Sequence, residues 1–455
     1  MTLSMYEPGN KAMTRIYKAP SKPMDDYRST FDPEFRITLL SRPALAVLAR
    51  EYQLAAHLQD RAGIPQVLAR YGAEAMREIA IAEWMGASPV YTQRMQRALR
   101  FEGDDVATIF KGMQFDVGAP HGFLDFRFRL NDDGSGEFWL PYCGALMDVE
   151  PMGEEFVVGM CHHIEDPTFD ATAVATNPLA RVRPIHRPPR VPADREPHCH
   201  WRVRIEPGES PIKEIALTQV VRQSRLARLE IPESARSADA GGRADYSGAF
   251  DPDLLLEEFS HAALVRIAQE FCLQGHLLVR SFMTAIAERW GDAVAREIAT
   301  QQFIGSAGLA AERVAAAMQI RGKESPATDL EAIAKLFQLH PAFHPRAYVD
   351  FHVERDEHDV RCWIGECEAF AEDDAHSWFA LLAEGSGPHP ALDAIVRAVN
   401  LRARCRPTRI PDAHVAWSVE IDPHAEPAPE PAAVSLAKLS KGATFRYVPR
   451  RPARI

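Results

Sequence analysis

His198, Cys199 and His200 stand in consecutive positions, and a second group of chemistry-bearing residues precedes them at Cys161, His162, His163, Glu165 and Asp166. On a strand, side chains alternate between faces. His198 and His200 would then point together and Cys199 away. Cys161 and His163 form a similar i, i+2 pair. If the two segments are neighbouring strands, four nitrogen and sulfur donors converge, which suits tetrahedral zinc or a related divalent ion. A catalytic ion would use three of them and leave one position for water. A second ligand set takes Cys199 with Cys161.

Glu165 or Asp166 would act as general base on that water, with His162 beside them in a catalytic role. His186, Arg187 and Arg190 form a further polar group, and a fork of arginines suits a substrate carboxylate. A metal-free arrangement is also open, in which Cys161 or Cys199 is a thiolate activated by a neighbouring histidine. A polar cluster that only supports the fold is the third reading. No paired C-x-x-C, phosphate-binding loop or dinucleotide fingerprint is present.

The elements that must position these residues come in two copies. The stretches "DYRSTFDP" (26–33) and "DYSGAFDP" (245–252) are separated by 219 residues, and that offset holds without a gap over 78 residues. Across Asp26–Gly103 and Asp245–Gly322, 24 positions are identical, among them Glu51/Glu270, His57/His276, Arg61/Arg280, Gly72/Gly291 and Arg94/Arg313. With small gaps the match continues through Gln114/Gln338, Trp139/Trp363, Cys143/Cys367 and Trp201/Trp417. A fixed long period marks a repeated unit. The chain therefore divides into an N-terminal arm (1–25), a first repeat (26–231), a linker (232–244) and a degenerate second repeat (245–455).

Residues present in both repeats serve what both need, which is the fold. Glu51 and His57, six apart on a helix, cannot share a face, so hydrogen bonding at a helix surface or interface suits them better than a metal. The Cys, His and acid group belongs to the first repeat alone. "MCHHIEDPTFD" (160–170) aligns with "LAEGSGPHPALD" (382–393), which has no matching groups beyond an unregistered Glu384, and His198-Cys199-His200 becomes His414-Val415-Ala416. That asymmetry points to one functional site, in the N-terminal half.

Each repeat reads as helices followed by an antiparallel sheet with one inserted helix. Apolar spacing predicts helices over 43–61, 64–82, 89–100 and 104–114. Strands follow at 122–130 and from Glu137, with Cys143 mid-strand, and again at 154–163. A helix begins at "DPTFD", and "HCHWRVRI" closes the sheet. After each sheet comes a further helix-then-strand pattern. The fold class is α+β, two tandem units packed as a pseudo-dimer.

The 455-residue chain is 46% hydrophobic and 25% charged, as expected of a soluble globular protein. Its net charge of -11 speaks against nucleic acid as a partner. No apolar run is long enough to span a membrane, and the N-terminus lacks the apolar core of a signal peptide. Seven cysteines without regular spacing argue for reduced thiols and a cytoplasmic location.

The order Cys143, Cys161, Asp166, "NPLARVR" (177–183) and the closing "PHCHW" resembles the L-2-amino-thiazoline-4-carboxylic acid hydrolase-like family. Glu196-Pro197 replaces that family's Gly-Asp before the last cysteine. The second repeat keeps Cys367, Asn400-Leu401 and the closing strand. The layout is also similar to the 4-vinyl reductase-type small-molecule-binding domain, which can hold zinc through cysteines. The first resemblance implies a hydrolase that opens a cyclic C–N bond, with Cys161, Asp166 and Cys199 carried over as site residues. The expected function is thus metal-assisted hydrolysis of a small cyclic amidine, lactam or amide-like substrate, in a chain that can form a homo-oligomer. The alternative is a small-molecule-binding module with a structural metal.

Overall fold

The computed structural model describes residues 23–233, 241–322, 325–356, 358–383 and 389–448. The expected arm through residue 22, residues 234–240 of the expected linker, residues 384–388 of the aligned stretch in the second half and residues 449–455 at the end of the second repeat lie outside the described residues.

The fold is α+β, and both halves carry the same order of elements. In the first half, α1 (Arg42–Leu58), α2 (Asp60–Leu99) and α3 (Val106–Gln114) precede β1 (Arg127–Leu130) and β2 (Gly136–Leu140). Short helices α4 (Gly144–Val149) and α5 (Glu154–Val158), a π-helical turn (Gly159–Ile164) and α6 (Glu165–Val174) lead to β3 (Ala180–His186) and β4 (Cys199–Ile205). Then come α7 (Ala216–Gln223) and α8 (Arg225–Arg228). The second half runs α9 (His261–Trp290), α10 (Asp292–Ala317), α11 (Pro326–Leu339), β5 (Phe351–Arg355), β6 (Val360–Ile364), α12 (Trp378–Ala383), α13 (Pro390–Arg397), β7 (Ala403–Pro407), β8 (Val415–Ile421) and α14 (Ala432–Ala437). The sheets are antiparallel with equivalent orders, β1-β2-β4-β3 and β5-β6-β8-β7. Phe138 faces Trp201 in one and Cys362 faces Trp417 in the other.

Shared residues explain shared elements. Ser41 and Ser260 cap α1 and α9 by accepting from the backbone N–H of Ala44 and Ala263. Gly72 and Gly291 have φ of 82° and 88°, a region open to glycine, and break the helix there. The Trp84 indole lies 3.0 Å from Asp60, 24 residues away. Along a straight helix that separation would be about 36 Å, so α2 must fold back on itself at Gly72.

The two halves are joined through a helical core in which α1 and α2 pack on α9 and α10. Within it lie reciprocal buried ion pairs. Arg94 binds both carboxylate oxygens of Glu270 at 3.1 and 2.8 Å, and Arg313 binds both of Glu51 at 2.8 and 3.0 Å. Each arginine also donates to carbonyls of the segment ending its own half: Ala227 and Leu229 for Arg94, Gly442 and Phe445 for Arg313. The leading segments cross over as well. Tyr27 bonds Gln338 at 2.8 Å, and Tyr246 bonds Gln114 at 3.0 Å.

Five expectations need correction. The helix expected over 64–82 breaks at Gly72. Not one helix but several, α4 to α6 in the first half and α12 and α13 in the second, stand between the second and third strands of each sheet. Residues 154–163 are helical, because Phe156, Met160 and Ile164 repeat every four positions and face one cavity. Within a short apolar run that period is masked by the neighbouring valines. Cys143 is not mid-strand: it caps α4, its sulfur accepting from Leu146 N–H at 3.3 Å. No strand follows α8 or α14 among the described residues. No helix among them is long and apolar enough to cross a membrane.

Arg94→Ala would leave the Glu270 charge buried and unpaired, at an expected loss of about 3–5 kcal/mol. Replacing both partners with apolar residues of similar size, Arg94→Met with Glu270→Leu, should cost much less. Urea denaturation of the two variants checks the contrast; equal losses would show that packing rather than charge compensation governs the site.

Candidate functional site

A cavity of about 520 Å³ lies in the first half, within the range of small-molecule sites. Its walls come from both arms of α2, the inner face of β2 and β4, and α4 to α6. Leu436 of α14, with Leu439 and Ser440 just after it, closes it from the second half. Met152 and Leu439 line it and are also solvent-exposed, which marks the mouth.

Most of the wall is apolar, with Trp84, Phe126, Phe156 and Phe169 among its residues. Into it the fold-back of α2 brings Asp60, which accepts from the Trp84 indole and adjoins Glu83. Glu83 is fully buried, and neither of its oxygens receives a hydrogen bond from a nitrogen or hydroxyl donor among the described residues. Burial, then the Asp60 charge and the hydrogen bond to it, holds the Glu83 carboxyl well above the usual range. The two carboxyls therefore share a proton.

Asp116 lies on the same cavity. Its Oδ1 accepts from the Tyr91 hydroxyl at 2.7 Å and from Gly118 N–H at 2.6 Å, and burial pushes it up to about 6. Arg61 is committed to Asp148 at 2.9 Å, and Asp148 also accepts from Ser440 Oγ and Lys441 N–H. Burial, then the Arg61 charge, keeps His57 neutral.

Glu165 opens α6 and lines the cavity. Its Oε2 is buried without a hydrogen-bond partner among the described residues. Burial and then the Asp166 charge push this carboxyl up to about 8, against a smaller opposing effect of Arg187. Cys143, Cys161 and Cys199 surround it. Burial raises all three thiols, Cys143 to about 12, and the Glu165 charge adds to each shift. They are thiols rather than thiolates at neutral pH.

No family model, curated protein or solved structure matches this chain.

Of the residues singled out from the sequence, Glu165 and Cys199 reach the cavity and Cys161 is buried near them. The remainder are placed elsewhere. His163 is exposed. On the helix it points about 200° away from Cys161, so the expected i, i+2 pair does not form. His162 bonds the Pro188 carbonyl at 2.7 Å. His198 is buried, and its Nδ1 accepts from Cys143 N–H at 3.2 Å. His200 bonds Glu137 at 3.1 Å beside Trp139, with His186 next to it.

The arginines expected to hold a carboxylate are engaged within the protein. Arg187 pairs with Asp166 and lies 5.8 Å over the Trp201 ring. Arg190 grips both oxygens of Glu150 at 2.8 Å. Among the described residues no group of three or more His, Cys, Asp or Glu side chains is arranged to hold a metal ion. The expected zinc donors thus do not fit such an ion.

Sequence reasoning missed Asp60, Glu83, Trp84 and Asp116. The signal was present in the gapless alignment as differences rather than identities: Asp60/Val279, Glu83/Gln302, Trp84/Phe303 and Ser88/Ala307. Around His276, the counterpart of His57, only about 30 Å³ remains, and Trp378 stacks on Phe303 at 4.5 Å. Among the described residues, Trp378 occupies the space beside Phe303.

Glu165 sets a pH dependence of stability. Its carboxyl titrates near 4.5 when unfolded and near 8 in the folded protein. The folded state therefore holds the proton more tightly. The associated stability is complete below about pH 4.5 and is lost as the pH rises through 8. Glu165→Gln removes that loss, so the variant should gain on the parent between pH 5 and 8 in urea denaturation. A constant difference across that range would show the carboxyl to be ionised throughout.

Proposed function

We propose that the protein is a hydrolase that cleaves a C–N bond of a small cyclic amidine, lactam or amide-like substrate held in the cavity of the first half. The observation that carries this reading is Glu165, a buried carboxyl with a free oxygen on the wall of a roomy apolar cavity. Its raised pKa keeps it protonated at neutral pH. Asp116, on the same cavity, is mostly ionised there. Two carboxyls with separated pKa values are what acid and base roles require.

In this scheme Asp116 takes a proton from water as the water oxygen adds to the substrate carbon. The C–N bond then breaks, and Glu165 delivers its proton to the departing nitrogen. Asp116 is held by Tyr91 and Gly118, so its position is fixed before substrate arrives. The apolar wall excludes bulk water and strengthens both electrostatic effects.

The matching elements and reciprocal contacts of the halves support a tandem duplication packed as a pseudo-dimer, with the site kept in one copy. The seven free cysteines accord with a reducing, cytoplasmic setting. A second reading, a small-molecule-binding module, is favoured by the protonated thiols, which supply no ready nucleophile.

Purified protein incubated with a panel of cyclic amidines, lactams and amides, followed by mass spectrometry for ring opening, separates the two. A hydrolase should turn over at least one member, with a rate that declines as pH rises through about 8. Glu165→Gln should lower that rate by about 10²–10⁴-fold. Binding of panel members without turnover of any would establish the binding module instead.

A further inference from the structure

The charge balance of the cavity is lopsided. Asp60, Asp116, Asp148 and Glu165 all line it, and Glu83 stands directly behind Asp60. Of the two basic side chains on the wall, Arg61 is bound to Asp148 and His57 is neutral. Arg187 and Arg190 are bound to Asp166 and Glu150 and do not line the cavity. A ligand carboxylate would meet acids there and find no uncommitted cation.

Asp60 and Glu165, by contrast, have no ion-pair partner among the described residues. Asp60 is 8% exposed, lines the cavity, and its Oδ1 has no nitrogen or hydroxyl donor among the described residues. Glu165 Oε2 is in the same condition. Burying acidic groups without partners is costly, and proteins keep such an arrangement where something else supplies the missing charge. The Trp84 ring is held beside Asp60 by its own indole bond and adds an aromatic face of the kind that attracts cations.

We infer that the cavity takes a cation, an apolar molecule ending in an amine or amidine group and carrying no carboxylate. The inference rests on the cavity being the ligand site and narrows its substrate class to the basic members. It also predicts proton release. Asp60 and Glu83 share a proton under the influence of Arg61 and Trp84. Glu165 is faced by Asp166, Arg187, Cys143, Cys161 and Cys199, and Asp116 by Tyr91. An arriving cation favours the ionised form of the Asp60–Glu83 pair and displaces its shared proton to solvent.

Isothermal titration at pH 7 with three probes of one shape tests this: phenylbutylamine, phenylbutanol and phenylbutanoate. Each is run in two buffers of different ionisation enthalpy to count protons. The amine should bind at least about tenfold more tightly than the alcohol, a modest demand for one desolvated charge contact, and the acid more weakly still. The amine alone should release protons. In the Asp60→Asn, Glu83→Gln double variant the advantage of the amine over the alcohol should fall below about threefold.

An alcohol or acid binding as tightly as the amine, an amine that does not bind, or an advantage that survives the double variant would each overturn the inference. Because the ranking is made on the parent protein, poor folding of the variant does not remove the test. Turnover of a neutral lactam together with no preference for the amine would sink this inference and leave the hydrolase reading standing. A preference for the amine without turnover of any panel member would do the reverse.

Discussion

The crossed ion pairs Arg94–Glu270 and Glu51–Arg313 are the constraint on which the remainder of the structure depends. All four side chains are almost wholly buried. A charge in that position is tolerable only with its partner, and each partner lies in the opposite half. The pairs also set direction. Because each arginine spends its remaining donors on carbonyls of its own half's terminal segment, docking of the helices and placement of those segments occur together. Neither half compensates the charges of these two pairs without the other.

That placement builds the site. The segment after α14, fixed by Arg313, sets Ser440 and Lys441 on Asp148, and Asp148 holds Arg61. The mirrored arrangement puts the backbone N–H groups of Arg225 and Leu226 on Glu372, which lies 3.5 Å from Arg280. One scaffold therefore supports both halves, and the difference between them is local. Where the first half has Asp60, Glu83 and Trp84, the second has Val279, Gln302 and Phe303, and Trp378 fills the space. With two acids fewer and one aromatic ring more, the second half packs side chains where the first keeps a hollow whose mostly apolar wall is interrupted by carboxyls. The hollow version is the one that needs a reason beyond stability.

Much of the scaffold was legible in the sequence because it was repeated. The helices and closing strands of both halves were readable from that repetition, whereas the break at Gly72 fell inside the helix expected over 64–82. Arg94/Arg313 and Glu51/Glu270 were visible as recurring residues, but their partnership was not, since it crosses from one half to the other. The site was legible only in part. The density of Cys, His and acids around 161–200 drew attention to Glu165 and Cys199, which do line the cavity. It also drew in His163, His200 and Arg190, which serve the surface, the sheet and a structural ion pair. Reading 154–163 as a strand aligned Cys161 with His163; the helix separates them. Asp60 and Glu83 escaped notice because they stand in a helical region where identities were sought, and because only the reversal at Gly72 makes residues 23 positions apart into neighbours.

The crossing of segments also explains why a second half without a comparable cavity persists beside the first. Leu436, Leu439 and Ser440 belong to the second half, yet they complete the wall of the first half's cavity. The Tyr246 segment opening the second half rests on α3 of the first, with Lys111 4.7 Å from the tyrosine ring centroid. Loss of the second half would leave Glu270 absent from Arg94, Asp148 without its Ser440 and Lys441 donors, and the cavity open on one side. The second half carries His414-Val415-Ala416 where the first carries His198-Cys199-His200, and the reciprocal contacts between the halves do not involve these residues. Its helices and terminal segment remain bound by the same reciprocal contacts that shape the site.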